Sequence, residues 1–295
     1  MENMDYTDVF QKACLIQLST SVWQGCCKLE ERVLKRIGEN SNWLKGSKDL
    51  VNQELLGPVR KIAGQARTEI RKYSLPFPIN SVYLISKEAL TKVDENLQTY
   101  KQEFWDKVQD FEVLFEMAKE EAMSYLGDLY NEADYPMDIS QKFRFEWRFL
   151  TLDIPGKSTL LPPEIYEREK EKFQSMMDET RELAISALRE EFGKIVNGLT
   201  DKLNKDSAKP KVIKSSMFKK MREFLDDFGT RNIFEDDLLV ELSQQARDLI
   251  EGVSPGGVKP NDIMLQRIKN EMNQLRSAID DAIEDMPRRK IRMAV

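Results

Sequence analysis

The stretch Leu90–Leu129, LTKVDENLQTYKQEFWDKVQDFEVLFEMAKEEAMSYLGDL, decides the fold class. Leu90, Val93, Leu97, Tyr100, Phe104, Val108, Phe111, Phe115, Ala118, Ala122, Tyr125 and Leu129 recur every three or four residues, and nearly everything between them is charged or polar. Side chains three and four apart share one face of a helix, so the pattern is that of an amphipathic helix. The mean step is about 3.55, close to the 3.5 that winds a helix pair into a left-handed supercoil. Such a helix is about 60 Å long, more than a compact domain needs. Its stripe is therefore either core or, from Leu90 to Phe115, a seam for another helix.

Outward from that helix the sequence offers two strands. In Leu15–Trp23 the residues Ile16, Leu18, Thr20 and Val22 alternate with Gln17, Ser19 and Ser21. In Phe143–Asp153 the aromatics Phe143, Phe145, Trp147 and Phe149 alternate with Arg144, Glu146 and Arg148, a two-residue period that no helix would sort. Each needs a partner, and they are the strongest strand candidates in the chain, so they are expected to pair in a two-stranded sheet. Between them lie a short helix at Lys28–Ile37 and a helix from Ser47, a good N-cap, to Tyr73, kinked or divided at Gly57-Pro58. Pro76-Phe77-Pro78 forces an extended exit. Val82–Ile85 is apolar and of either type.

Past Pro155-Gly156, Pro162-Pro163-Glu164 opens a second long helix with proline and acid at its start. Its apolar stripe reads Phe173, Met176, Thr180, Leu183, Ala187, Phe192 (or Glu191), Ile195, Leu199 and Leu203. Three shorter amphipathic helices follow. The first carries Met217, Met221, Phe224 and Phe228. The second starts with Asn232 and Glu235 in capping-box register, followed by Leu238, Leu242, Ala246 and Leu249. The third, capped by Asn261 or Asp262, carries Ile268, Met272, Leu275, Ile279 and Ile283. The expected class is mainly α with a small antiparallel sheet (α+β), long antiparallel, coiled-coil-like helices being anchored on the strands. The expected domains are 1–204, a basic linker 205–216, a C-terminal helical region 217–286 and a basic tail 287–295.

Composition narrows the chemistry. The chain of 295 residues has no histidine, which removes the commonest general base and metal ligand. Ser/His and Cys/His nucleophile systems are thereby excluded within the chain. Cys14, Cys26 and Cys27 have no metal-ligand spacing; the vicinal pair reads as a redox feature or, more blandly, as two small half-buried residues. Gly156-Lys157-Ser158 resembles the end of a phosphate-binding loop, but Thr151 stands where that loop needs glycine. Asp226-Asp227, Glu235-Asp236-Asp237 and Asp280-Asp281 read as solvated surface rather than cation sites. No catalytic residue, cofactor or metal is assigned, and no enzyme is expected. One residue in three is charged, and the net charge is a mild −6. The acidic start without an apolar segment and the lack of a membrane-length apolar run suggest a soluble, cytoplasmic protein with no membrane association.

Two basic segments invite a nucleic-acid reading: Lys209, Lys211, Lys214, Lys219 and Lys220, and the tail residues Arg288, Arg289, Lys290 and Arg292. Neither interleaves aromatics that would stack on single strands, so a solvated linker and tail compete with that reading.

At Leu15-Ile16-Gln17-Leu18-Ser19-Thr20-Ser21-Val22-Trp23-Gln24-Gly25 the chain resembles a bacterial and phage family, domain of unknown function 3150. Its members open with a strand ending in a Ser-Val-Trp-x-Gly-like pattern and continue through a long helical region to an aromatic-alternating strand, as at Phe143–Ile154. The likeness runs from Lys12 to Leu203. Cys26-Cys27 departs from it, standing where the family favours basic residues. The resemblance carries no activity to transfer. It implies context: genes placed beside ring ATPases of the chelatase-like class and von Willebrand A-type adaptor proteins, often on phages and mobile elements. The expectation is a non-enzymatic scaffold or adaptor of a bacterial, phage or mobile-element system. Its long helices would self-associate as an oligomer or bind such a ring ATPase. Nucleic-acid association through the basic segments is the alternative.

Overall fold

In a computed structural model of the chain, the described residues are 7–37, 43–151, 162–204, 215–251 and 262–285. The elements run α1 (Thr7–Lys12), β1 (Ala13–Ser21), β2 (Cys26–Lys28), α2 (Glu31–Ile37), β3 (Ser47–Asp49), α3 (Gly57–Tyr73), β4 (Ser74–Pro76) and β5 (Val82–Ser86). They continue with α4 (Leu90–Leu126), β6 (Arg144–Leu150), α5 (Pro163–Asn204), α6 (Lys219–Arg231), α7 (Asp237–Glu251) and α8 (Asp262–Glu284). The fold is mainly helical with a small antiparallel sheet, as its periodicities require. That sheet has four strands rather than the expected two, in the order β4-β5-β1-β6. β1 and β6 are neighbours in it, but β4 and β5 are added on the other side of β1, pairing antiparallel with Leu75 opposite Leu84. β1 is thus interior, and Gln17 and Ser19 on its polar face are half-buried while Ser21 at its end is exposed.

One further expectation fails at Ser47. Instead of capping a helix, Ser47–Asp49 pairs antiparallel with Cys26–Lys28 in a second, two-stranded sheet. The helix proper starts at Gly57-Pro58, where proline's fixed φ and missing N–H fit a helix start.

The residues group into two compact units. One comprises 1–15, 73–89 and 150–295, and so takes in helices from both sides of the lysine-rich segment at 205–216. Its core is built on α5, whose buried stripe is Met177, Thr180, Ala184, Leu188, Phe192, Val196, Leu199 and Leu203. This lies one residue round from Met176, Leu183, Ala187 and Ile195, which are only half-buried. α5 packs against α8, α6 and β4, so it is apolar on more than one side and its period is ambiguous in sequence. Phe192 stacks on Phe224 with ring centroids 5.1 Å apart. A Cβ on Gly193 would stand 3.0 Å from Ile283 Cδ1, so glycine there permits the close approach of α5 and α8. α8 buries Ile268, Met272, Leu275 and Ile279 as its pattern implies. In α7 the cap is Asp236, not Asn232 with Glu235, and Leu239 is buried while Leu238 is exposed.

The other unit comprises 16–72 and 90–149. Leu56, Val59, Ala63, Ala66 and Ile70 from α3 and its entry form one wall of its core. α4 supplies the rest: Val93, Leu97, Phe104, Val108, Phe111, Phe115, Ala118 and Ala122 are all buried. Phe104 tilts against Phe145 of β6 at 5.3 Å between centroids, and Phe111 meets Phe143 at 5.9 Å. Trp147 Nε1 donates to Asp94 at 2.8 Å, tying the strand to the first turns of the helix. The aromatics of the near-heptad stripe therefore pack on Phe143, Phe145 and Trp23 within their own unit, while Asn96, off the stripe, ties α4 to α3 by donating to Glu69 at 2.6 Å.

Candidate protein-binding face

The sequence-predicted seam lies inward. Val93, Leu97, Phe104, Val108, Phe111 and Phe115 are buried and Leu90 and Tyr100 half-buried, so no partner helix can read that stripe. The reverse of α4 is different. Val113 is 77% exposed, Leu114 40% and Met117 68%; on the stripe itself the pattern fails at its end, where Tyr125 is 83% exposed. Val113 and Met117 are one turn apart and Leu114 adjoins both, so these three make a contiguous apolar surface on a solvated helix face. Single exposed apolar side chains are common; a cluster at helical spacing on an otherwise charged face is not.

The same face is acidic at both ends of that cluster. Asp106, Asp110, Val113, Met117 and Glu121 follow one another at helical spacing, with Glu103 and Glu120 beside them. Lys107 is taken up by Asp110 at 2.7 Å, and Lys119 by Glu116 at 3.2 Å and Glu132 at 3.5 Å. Among the described residues, Glu103, Asp106, Glu120 and Glu121 have no lysine or arginine within ion-pair distance. Where the helix ends, a cleft of about 590 Å³ opens, lined by Glu121, Tyr125 and Leu126 on one side and Asp49, Val51 and Gln53 on the other.

This end of α4 is held by a dense set of contacts. The Tyr135 hydroxyl donates to the Leu50 carbonyl at 2.8 Å, and its ring meets Tyr130 and Phe115. Burial, assisted by the negative charge of Asp134 and neighbouring acidic groups, pushes the Tyr135 phenol up to about 12. The Lys48 ammonium, nearly enclosed, pairs with Asp134 at 2.6 Å and donates to the Leu129 carbonyl. Cys27, opposite Lys48 across the β2–β3 pair, has its thiol pushed up by burial and then by Asp134, so it is held as a thiol and is no activated nucleophile. The reading of the vicinal pair as two half-buried residues holds for Cys27 and fails for Cys26, which is exposed because successive residues on a strand point to opposite faces.

The remaining candidates sort as follows. Lys219 and Lys220 are exposed in the first turn of α6, Lys219 pairing with Glu223 at 3.7 Å, rather than in a linker. Lys209, Lys211, Lys214, Arg288, Arg289, Lys290, Arg292 and Gly156-Lys157-Ser158 lie outside the described residues. Asp236, read in sequence as solvated, is buried and gripped bidentately by Arg189 at 2.7 and 2.9 Å. Among the described residues no group of three or more acidic or cysteine side chains is placed to hold a metal ion, and no helix is long and apolar enough to cross a membrane.

Sequence reasoning followed the regular stripe and passed over Val113, Leu114 and Met117. Their signal was available: three apolar residues off the stripe, between Asp110 and Glu120.

Compared with known proteins, residues 10–226 match the model of the family described as "Protein of unknown function (DUF3150)". No curated protein and no solved structure matches.

Proposed function

We propose that this chain, which belongs to the DUF3150 family, is a non-enzymatic protein-binding scaffold or adaptor whose working surface is the outer face of α4. The observation that carries this is the exposure of Val113, Leu114 and Met117 while the opposite stripe of the same helix is buried as core from Val93 to Ala122 save for half-buried Tyr100. A long helix clamped on one side by aromatic packing is rigid, and rigid elements present a surface with little ordering cost on binding. Ring ATPases with von Willebrand A-type adaptors are the partner class implied by the family resemblance.

The test mixes the purified chain with the products of genes encoded beside its own and measures mass in solution, alone and mixed. Val113→Glu and Met117→Glu alter exposed positions and are expected to leave thermal unfolding within about 0.5 kcal/mol while abolishing the assembly. An assembly that survives both substitutions overturns the reading.

A further inference from the structure

We infer that the partner's docking element is a basic amphipathic helix, seated with its apolar ridge on Val113, Leu114 and Met117. Its cationic flanks lie against Asp106 and Glu120–Glu121 and reach into the cleft at the end of α4. This rests on the reading of α4's outer face as the working surface and adds the partner's chemistry.

Three observations lead there. The apolar cluster is one helix turn long, with a flexible thioether at one end; a helix ridge spaced at i, i+3 and i+4 matches such a surface, and methionine adapts to its detail. The rim has one sign. Among the described residues Glu103, Asp106, Glu120 and Glu121 have no lysine or arginine within ion-pair distance; Lys107 is bound to Asp110 with Asp106 close by, and Lys119 is bound to Glu116 and Glu132. Unpaired like charges round an apolar cluster repel one another until a cationic partner arrives, and they steer its approach.

The cleft continues the same chemistry. Asp49 and Glu121 both line it, as do Tyr125 and Gln53. This set suits the apolar stem and cationic head of a lysine or arginine better than an acid.

The same charges argue against a second copy of this chain on this face. Apposing two such faces would bring Asp106, Glu120 and Glu121 against their own kind, which costs affinity rather than adding it. Self-association and capture of a basic helix are thus physically distinct outcomes.

The probe is a synthetic leucine/lysine amphipathic helical peptide of about 18 residues, one helix face long enough to cover the cluster and the cleft. It is titrated against the full chain by fluorescence anisotropy, with a leucine/glutamate peptide of the same pattern as its counterpart. The lysine peptide is expected to bind, the glutamate peptide not to bind. Affinity should fall at least about tenfold between roughly 50 and 500 mM salt, and again about tenfold with Glu121→Lys.

Met117→Glu separates specific docking from general attraction to an acidic protein. It adds negative charge, so nonspecific attraction would strengthen, whereas docking on the apolar cluster should weaken by about tenfold or more. Binding undiminished by Met117→Glu overturns the inference, as does equal binding of the glutamate peptide. If the chain instead forms a dimer that Met117→Glu splits, the face is an interface between copies: the reading of α4 stands and the basic partner falls. If Met117→Glu changes neither peptide binding nor assembly mass, both fall.

Discussion

The indole of Trp23 meets the ring of Phe115 edge-on, centroids 5.7 Å apart and planes at 81°, and tilts against Phe111 at 6.2 Å. Two residues past the end of β1, Trp23 thus packs on the middle of α4 and fixes the inward aromatic row whose reverse side is the proposed binding face. The Ser-Val-Trp-Gln-Gly segment has a structural meaning here, with no chemistry required. Trp23→Ala removes two ring contacts from a half-buried position and is expected to cost about 2–3 kcal/mol, while Trp23→Phe keeps most of the packing. Urea unfolding of the two variants checks this: equal stability of Trp23→Ala and wild type would contradict it.

Gly25 completes the same segment. Its φ of +63° lies in the left-handed region, and an added Cβ would stand 2.8 Å from Leu56 Cδ1 and 3.2 Å from Val51 Cγ2. Its carbonyl accepts from Leu50 N and from Gln53 Nε2, both at 2.8 Å, so the turn cannot relax without losing those bonds. Gly25→Ala should therefore destabilise by about 2–4 kcal/mol, strain and crowding acting together. Gly64→Ala, in α3 with open space at its Cβ, is the control and should raise stability by up to about 1 kcal/mol. Thermal unfolding of both reads the sign directly.

What was legible in the sequence follows from how many sides each element buries. α4 and α8 each bury one stripe, so a count of spacings finds their faces. α5 packs against α6, α8 and β4, so neighbouring stripes are apolar: the spacing finds Thr180, Phe192, Leu199 and Leu203 and falls one residue short of Met177, Ala184, Leu188 and Val196. β3 was misread because Ser47 carries a helix-start signal, while its pairing with Cys26–Lys28 is a contact between segments distant in sequence that no local pattern announces. Asp236 was hidden inside an acidic triplet; only Arg189, placed beside it by the fold, shows that it is buried. At the proposed binding face Val113, Leu114 and Met117 are informative because they break the pattern of the regular stripe.

Arg189 grips Asp236 with two bonds and donates a third to the Ala282 carbonyl, joining α5, the start of α7 and the end of α8. Asp236 also caps α7 by accepting from Leu239 N at 3.3 Å. Its side chain is only 3% exposed, so removing it strands a guanidinium that is itself largely enclosed. Asp236→Ala is expected to cost about 3–5 kcal/mol. Arg189→Met with Asp236→Asn keeps the cap, removes both charges and should lose markedly less than Asp236→Ala alone. A double-variant loss as large as that of Asp236→Ala would show that the ion pair is not the source.

Tyr135 gives the fold a signature at high pH. Burial disfavours the phenolate and pushes its phenol up to about 12 in the folded state, above the value of about 10 usual for tyrosine. Below pH 10 both states hold the proton and its contribution is fully present. As pH rises towards 12 the unfolded chain loses its proton first, so stability falls through that window. Tyr135→Phe removes the proton and the bond to Leu50, lowering stability by about 0.5–1.5 kcal/mol near neutrality. It should also remove this residue's share of the alkaline decline. Denaturant unfolding between pH 9 and 12, compared for the two proteins, tests it; parallel curves would exclude Tyr135 as the source.

Lys48 couples the small β2–β3 sheet to the segment that follows α4, through Asp134 at 2.6 Å and the Leu129 carbonyl. Its side chain is 9% exposed, so its charge is poorly solvated without those partners. Lys48→Met keeps the stem and deletes the charge, leaving the Leu129 carbonyl and the Asp134 carboxylate without their cation. Asp134 is less enclosed than Lys48 as a whole, though its Oδ2 is buried, and the loss should be about 1–3 kcal/mol. The loss should also be local. Hydrogen exchange is expected to quicken in β2, β3 and residues 127–135, with α3 and the first turns of α4 unchanged. Tyr125 and Leu126 line the cleft immediately before that segment, so loosening it blurs the cleft while leaving Val113, Leu114 and Met117 in place. Lys48→Met should therefore weaken the leucine/lysine peptide less than Met117→Glu does. A uniform rise in exchange across both units would mean that Lys48 supports global stability instead, and the cleft would then not be separable from the fold.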